Sequence, residues 1–498
     1  MKRLLTIGLL LTLAVVTASA QRISCFRPSE QAGTRQTRHI IPEVKTFDPQ
    51  KTYRQPVILV SCSDAGFSMA DPVHFYNRIL NEKGYNEGVG LGCVADYLRD
   101  QSEGRLNIKF DIYGPVKVEK KAGGHGDPYY GDDILKEAIK KLCETETTDF
   151  SIYDWDGDGE VDQVLFVVAS YCGNQKRGYI WPNTGWFNGP ALPGGIEASV
   201  SSVSCELWKY DNSCGIGTIL HEFLHCLGLP DVYPRSPATA YSAVDEWDVM
   251  DGGNYTNHGW CPPNLSTMEK MVLKWGEPIE LTAATTVSAM KPLSDGGDTY
   301  LVRNPANRDE YYLLENRQQK GWDSGCPNNG LLIFHVDYDY AAWMDNHVNV
   351  SDTHYRYCLF HADGKDYRFW DPKNDGRDDS KWVDEGHLHN KYLSTSVYPY
   401  TNPETLVTNA SLTNDSNPAA TLFTANTDGL KLMSKPITNI QMASDGTISF
   451  DFMKEASAIN HVQADVDDAP WYDLQGRRLQ GKPTRKGVYI YGKKKVAF

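Results

Sequence analysis

The stretch from His221 to Asp231, His-Glu-Phe-Leu-His-Cys-Leu-Gly-Leu-Pro-Asp, restricts the fold more than any other part of the chain. Four residues make about one helical turn, so on a helix His221 and His225 share a face and can offer imidazole nitrogens to one Zn²⁺. Glu222 lies beside them as a general base. Ile219, Leu220, Phe223, Leu224 and Leu227 cover the rest of the helix with apolar surface, so it must be enclosed by a core. Gly228 can take the left-handed conformation that stops a helix, and the turn can swing Asp231 back as a third ligand. Asp245, Glu246 and Asp248 are rival third ligands. A fourth position stays open for water. The alternative is an amphipathic helix that carries this spacing by accident, in which case Gly228 and Asp231 are accidental too.

A chain of 498 residues, 41% hydrophobic and 11% aromatic, exceeds what one core needs and predicts two or three domains. Lys2-Arg3, an apolar run from Leu4 to Val16 and Ala18-Ser19-Ala20 have the layout of a cleavable export signal over residues 1–20. No later segment approaches the roughly 18 apolar residues of a spanning helix. A net charge of −15 disfavours nucleic acid and anionic membrane surfaces as partners. The 11 cysteines are dispersed, with no CxxC pair, which fits neither a disulfide scaffold nor a Cys-rich zinc module. Cys93 and Cys143 read as small core residues, and a disulfide such as Cys205 with Cys214 is compatible with the spacing. Cys25 could cap the zinc as a thiolate, although a lone leader cysteine is more often incidental.

After a leader over 21–52, Pro56–Ser61 reads as a buried strand. Helices are expected near 93–101 and 132–143, and strands at 106–112 and 163–169. Strands and helices alternate up to the His221 helix, so residues 53–277 are expected to form an α/β (α+β) domain with that helix below a sheet. From Pro278 the pattern changes to short alternating segments at Thr299–Val302, Tyr311–Glu315, Leu331–Val336 and Thr447–Phe452. Residues 278–460 are therefore expected to be mainly β. The basic end, 466–498, reads as a small β appendage.

Two further constellations bear on metal chemistry. Met250 stands in a tight polar turn, Val249-Met250-Asp251-Gly252-Gly253, like the methionine turn beneath the metal in metzincin-type zinc peptidases. Tyr255, just after it, could donate its phenol to an oxyanion, or simply pack. The loop Asp154-Trp155-Asp156-Gly157-Asp158-Gly159-Glu160-Val161-Asp162 has the carboxylate order of a calcium loop, so Asp154, Asp156, Asp158, Glu160 and Asp162 are candidate Ca²⁺ ligands. It lacks the position-12 glutamate, where Leu165 stands, and leads into a strand, so a full EF-hand is excluded. A solvated acidic turn is the plainer alternative.

Together these motifs resemble the M6 metallopeptidases, the immune inhibitor A type. Gly92–Tyr97, Ser102–Leu106, Tyr179–Pro182, Glu315–Gln318 and Gly330–Asp337 resemble further signatures of that family. The resemblance runs from about Pro56 to Asp337. It implies a zincin/metzincin-like fold, zinc on His221, His225 and Asp231, Glu222 as catalytic base, Met250 as the Met-turn residue, and calcium at the acidic loop. Asn183 departs from it where many relatives would carry histidine. His335 fits its strand motif and is expected to be a core histidine. Trp471–Arg478 and Lys486–Ile490 are similar to the C-terminal sorting domains of type IX secretion cargo, which implies contact with that secretion machinery.

The expected protein is a secreted or cell-surface monomeric zinc endopeptidase acting on proteins or peptides. A calcium-stabilised surface binding protein with a decayed site is the reading from another class, and an amidase acting on non-peptide substrates is a third.

Overall fold

A computed structural model describes residues 24–27, 39–208, 213–235, 243–351, 353–365, 393–454 and 471–497, the last without 474–476, 480–482, 484–486 and 492–493. The expected signal at 1–20 and leader residues 21–23 and 28–38 lie outside the described residues. The described residues up to Phe452 form one compact unit and those from Met453 onward a second.

The first sheet contains β1 (Thr52–Ser61), β2 (Asn107–Lys117), β3 (Glu160–Tyr171), β4 (Asn183–Trp186) and β5 (Glu197–Leu207), in the order β2-β1-β3-β5-β4. The pairs β1/β2, β1/β3 and β3/β5 are parallel, and β4 closes one side antiparallel to β5. Continuous apolar runs are what a sheet covered on both faces requires. On β1, Val57 and Leu59 enter one core while Ile58 and Val60 enter another; Leu165 and Val167 are likewise separated from Val164, Phe166 and Val168 on β3.

Four helices cover these faces: α1 (Pro72–Asn81), α2 (Val94–Gln101), α3 (Asp132–Cys143) and α4 (Gly217–Cys226). Apolar side chains of α1, α2 and α4 join the Val57 core, and those of α3 join the Ile58 core. The unforeseen helix α1 starts where the Asp71 carboxylate accepts from His74 N at 3.0 Å and Pro72 presets the first turn. In α2, Cys93 is an N-cap whose Sγ accepts from Asp96 N at 3.3 Å. Cys143 departs from expectation: it closes α3 on the solvent side and is exposed.

A short helix α5 (Thr267–Val272) leads into the β-rich half. Here β6 (Ile279–Glu280), β8 (Tyr300–Arg303), β9 (Glu310–Arg317), β10 (Gly330–Asp337) and β11 (Tyr357–Leu359) form a sheet ordered β11-β10-β9-β8-β6. Leu313, Phe334 and Val336 from its strands join the same core as α4. Its other face packs with β7 (Thr285–Met290), β14 (Ile437–Met442) and β15 (Ile448–Phe452). A two-stranded ribbon, β12 (Tyr400–Thr401) with β13 (Thr408–Asn409), lies between them in sequence. The change of architecture near residue 278 therefore falls inside one compact unit.

Arg317 ties the halves together. Fully buried, its guanidinium donates to Asp323 at 2.7 and 3.0 Å, to Glu315 at 3.0 Å, and to the carbonyls of Trp247 and Asn264 at 3.3 Å. The second unit carries β16 (Trp471–Tyr472), β17 (Val488–Tyr491) and β18 (Lys494–Ala497) as one antiparallel sheet.

Candidate metal centre

Every residue of α4 is buried. Each fully buried Leu, Ile or Phe contributes about 1.5–3 kcal/mol, which offsets the cost of enclosing two histidines and a glutamate in the same helix. The helix ends at Gly228, where φ is +112°. A Cβ there would also lie 2.6 Å from Val44 Cγ2 of the leader.

Both histidines are held by their Nδ1 atoms. His221 Nδ1 lies 2.8 Å from the carbonyl of Val249, beside Met250, and His225 Nδ1 lies 2.7 Å from the carbonyl of Leu229. A carbonyl can only accept, so each ring keeps a proton on Nδ1 and turns Nε2 inward, where the neutral ring offers its lone pair. The Met250 turn thus acts on the site through the neighbouring carbonyl. Asp231 arrives after Pro230 with Oδ1 3.4 Å from His221 Nε2 and 3.2 Å from His225 Nε2. These three atoms are buried and make no hydrogen bond, and with Cys25 Sγ they lie within 4.8 Å of one another. Two imidazoles and a carboxylate, converging through otherwise unused lone pairs, fit a divalent metal such as zinc.

Asn346, missed in the sequence, fixes the carboxylate. Its Nδ2 donates to Asp231 Oδ2 at 2.8 Å, and its Oδ1 accepts from Asp231 N at 2.6 Å. It follows α6 (Tyr340–Met344) at φ +56°, a conformation asparagine tolerates better than most residues. Thr184 on β4 was missed too. Its hydroxyl sits 2.9 Å from Glu222 Oε2 and 2.8 Å from the Glu222 carbonyl, while Oε1 has no hydrogen-bond partner.

Burial opposes charging of His221, but its interaction with the Asp231 carboxylate and the charge of Glu222 prevail and push it up to about 9. Burial also works against ionised Asp231; the charge of His225 and the contacts with both histidines outweigh it and hold Asp231 well below the usual range. Burial pushes the Glu222 carboxyl up, against the opposing influence of His221 and His225. Burial, followed by the charges of Glu222 and Asp231, raises the Cys25 thiol.

The other sequence candidates lie elsewhere. The Asp248 carboxylate accepts from Met250 N at 2.8 Å and from the Tyr357 hydroxyl at 3.0 Å, and neither it nor Asp245 nor Glu246 joins the ligand group. The Tyr255 hydroxyl accepts from Asn174 at 2.8 Å and its ring meets Trp208. Tyr233 instead points its hydroxyl at Cys25 Sγ, 3.3 Å away. Asn183 is buried and donates to the carbonyls of Trp181 and Tyr130. His335 is a core residue, 2.9 Å from Glu310 and stacked on Phe360 and Phe423. Cys205 and Cys214 are not bonded; Cys214 Sγ faces Cys172 Sγ at 3.3 Å.

In the acidic loop only Asp154, Asp156 and Asp162 converge. Asp158 accepts from Glu160 N at 2.9 Å, and Glu160 turns to Ser199 on β5, because β3 has already begun and its register with β5 sets that side chain. The Lys45 ammonium pairs with Asp162 and lies 3.3 Å from Asp156.

Residues 187–275, which enclose α4, Asp231 and the Met250 turn, match the sequence model of the Immune inhibitor A peptidase M6 catalytic domain. The chain is similar to Immune inhibitor A of Bacillus thuringiensis subsp. alesti, 24% identical over 265 residues that cover 43% of this chain and 38% of that protein. It is similar also to the pre-pro-metalloprotease PrtV of Vibrio cholerae serotype O1 (strain M66-2), 22% identical over 241 residues covering 41% and 26%. The match spans well under half the length of either relative. The likeness is to M6 metallopeptidases. Among the described residues no helix is long and apolar enough to cross a membrane.

Proposed function

We propose that this protein is a secreted zinc endopeptidase of the M6 type, hydrolysing internal peptide bonds with Glu222 as general base. The observation that carries the reading is the convergence of His221 Nε2, His225 Nε2 and Asp231 Oδ1, unpartnered and buried, with Glu222 next to His221 on the same helix. Zinc bound there would polarise a scissile carbonyl and lower the pKa of water towards neutrality. Glu222 Oε2 is anchored by Thr184, so Oε1 takes the proton from attacking water and returns it to the leaving amine. Its raised pKa suits both steps. Tyr233 brings its phenol to 3.3 Å from Cys25 Sγ, which shares the ligand group, so it is the candidate donor to developing negative charge.

The rest of the reading is proposed alongside it. The catalytic half, 53–277, is proposed as a zincin/metzincin-like domain followed by a β-rich domain over 278–460, and the molecule as a monomer. Calcium is proposed on Asp154, Asp156 and Asp162, supported by their grouping within 4.8 Å. Export through a signal at 1–20 and a type IX sorting role for 466–498 are proposed from sequence. Glu222→Gln tests the central claim: proteolysis of a denatured protein should fall by about 10²–10⁴-fold with zinc content unchanged. Full activity in that variant would overturn the assignment.

A further inference from the structure

We propose that Cys25 is the fourth ligand of this metal centre, and that the leader thereby holds the site closed. The inference rests on the zinc reading above and concerns what fills the position left open by His221, His225 and Asp231. Cys25 Sγ belongs to the same group of buried ligand atoms. The three others converge on this region with no hydrogen-bond partner of their own, so the thiol does not stand alone. Zinc with three protein ligands keeps a coordination site for water or substrate, whereas with four it is a closed structural centre. A thiolate completes a tetrahedral set with two imidazoles and a carboxylate, and its proton leaves to solvent as the metal binds.

The surrounding chain is built to deliver that sulfur. The Cys25 carbonyl accepts from Thr184 N at 2.8 Å and Arg27 N donates to Thr184 O at 3.0 Å, so the leader adds itself to the free edge of β4. Between them, the Phe26 ring meets the His225 ring edge-on with centroids 4.5 Å apart. Arg27 is buried and clasps Asp132 and the carbonyls of Ser201 and Gly185. Further along, Ile41 N donates to Met344 O, Val44 lies over Gly228, and Lys45 pairs with the acidic loop. Thr184 also holds Glu222, so a substrate strand brought to the base along β4 needs the edge that residues 25–27 occupy.

Cobalt substitution of the full-length protein tests the ligand directly. Wild type should bind one equivalent of Co²⁺ with a thiolate-to-cobalt charge-transfer band in the near ultraviolet, and Cys25→Ser should keep the metal and lose the band. The serine variant should also turn over a peptide substrate at least tenfold faster than full-length wild type. In wild type itself, alkylation of Cys25 by iodoacetamide, located by peptide mass mapping, should accelerate at least tenfold after chelation. One equivalent of bound cobalt without the band in wild type overturns the ligand assignment and leaves the peptidase reading intact, whatever the serine variant does. Equal turnover by a folded serine variant overturns the closure. No cobalt or zinc binding by either protein overturns both readings.

Discussion

Asn346→Gly removes the side chain that orients Asp231 while sparing the backbone, because glycine accepts the +56° φ that alanine would resist. The amide bond to Asp231 Oδ2, 2.8 Å long, is charge-assisted and contributes about 1.5–3 kcal/mol. Its loss frees the carboxylate to rotate away from the two imidazole nitrogens 3.2 and 3.4 Å from Oδ1. Removal of such an outer partner typically weakens metal binding about 10–100-fold, or about 1.4–2.7 kcal/mol, so the two estimates agree. The variant also leaves Asp231 N without the Asn346 acceptor, a cost of about 1–3 kcal/mol in fold stability. The assay is competition for zinc against a chromophoric chelator at fixed pH, with melting of the metal-free proteins alongside. Affinity within twofold of wild type, in a variant that melts cooperatively, would refute the argument that Asn346 sets the ligand geometry. Asn346→Asp, which tolerates the same backbone but places a second carboxylate against Oδ2, should lose Asp231 orientation at least as severely.

Four further outcomes are expected. Tyr233→Phe should lower kcat about 10²–10³-fold in an enzyme freed of its leader while zinc content is kept, whereas Tyr255→Phe should change kcat less; the reverse order in steady-state kinetics would restore Tyr255 to the oxyanion role. Because His221 is raised to about 9 without metal, zinc binding at pH 7.5 should release a proton from it, and affinity should rise with pH towards 9; calorimetry in buffers of different ionisation enthalpy counts that proton. The same shift, upward from 6.5, stabilises the metal-free fold fully below pH 6.5 and is lost as pH rises through 9, so the melting temperature of chelated protein should fall across that window. Arg317→Met strands the buried Glu315 and Asp323 carboxylates and should cost about 3–5 kcal/mol by denaturant titration; a cost below about 1 kcal/mol would show the clamp to be dispensable.

What could be read in the sequence was what lies close along the chain. His221, Glu222 and His225 fall on one helical turn, and Asp231 follows the glycine that ends it, so local periodicity carries nearly the whole candidate ligand set. The alternating strands and helices of the first sheet were equally local, because a covered strand shows its apolar run and a helix its stripe. Asn346 stands 115 residues from the carboxylate it holds, and Tyr233 stands 208 from Cys25. No spacing rule reaches across a fold, and an asparagine in a polar loop carries no mark of burial. Cys25 had a chemical signal in its sulfur but no positional one. The acidic loop misled in the opposite direction: a linear carboxylate order suggested five ligands, and strand pairing at Glu160 withdrew part of the set. Cys143 misled through its apolar neighbours, since a residue at a helix terminus can face solvent whatever its flanks.

Thr184 uses its backbone to receive a strand and its hydroxyl to aim Glu222. With Glu222 as the base proposed above, occupancy of the β4 edge and alignment of that base are mechanically one variable. A segment that docks out of register displaces the same residue that holds the carboxylate, so a poorly seated chain meets a mis-aimed base. Under the same proposal, discrimination among substrates would arise at the chemical step, as a penalty on turnover for every strand that fails to zip along that edge.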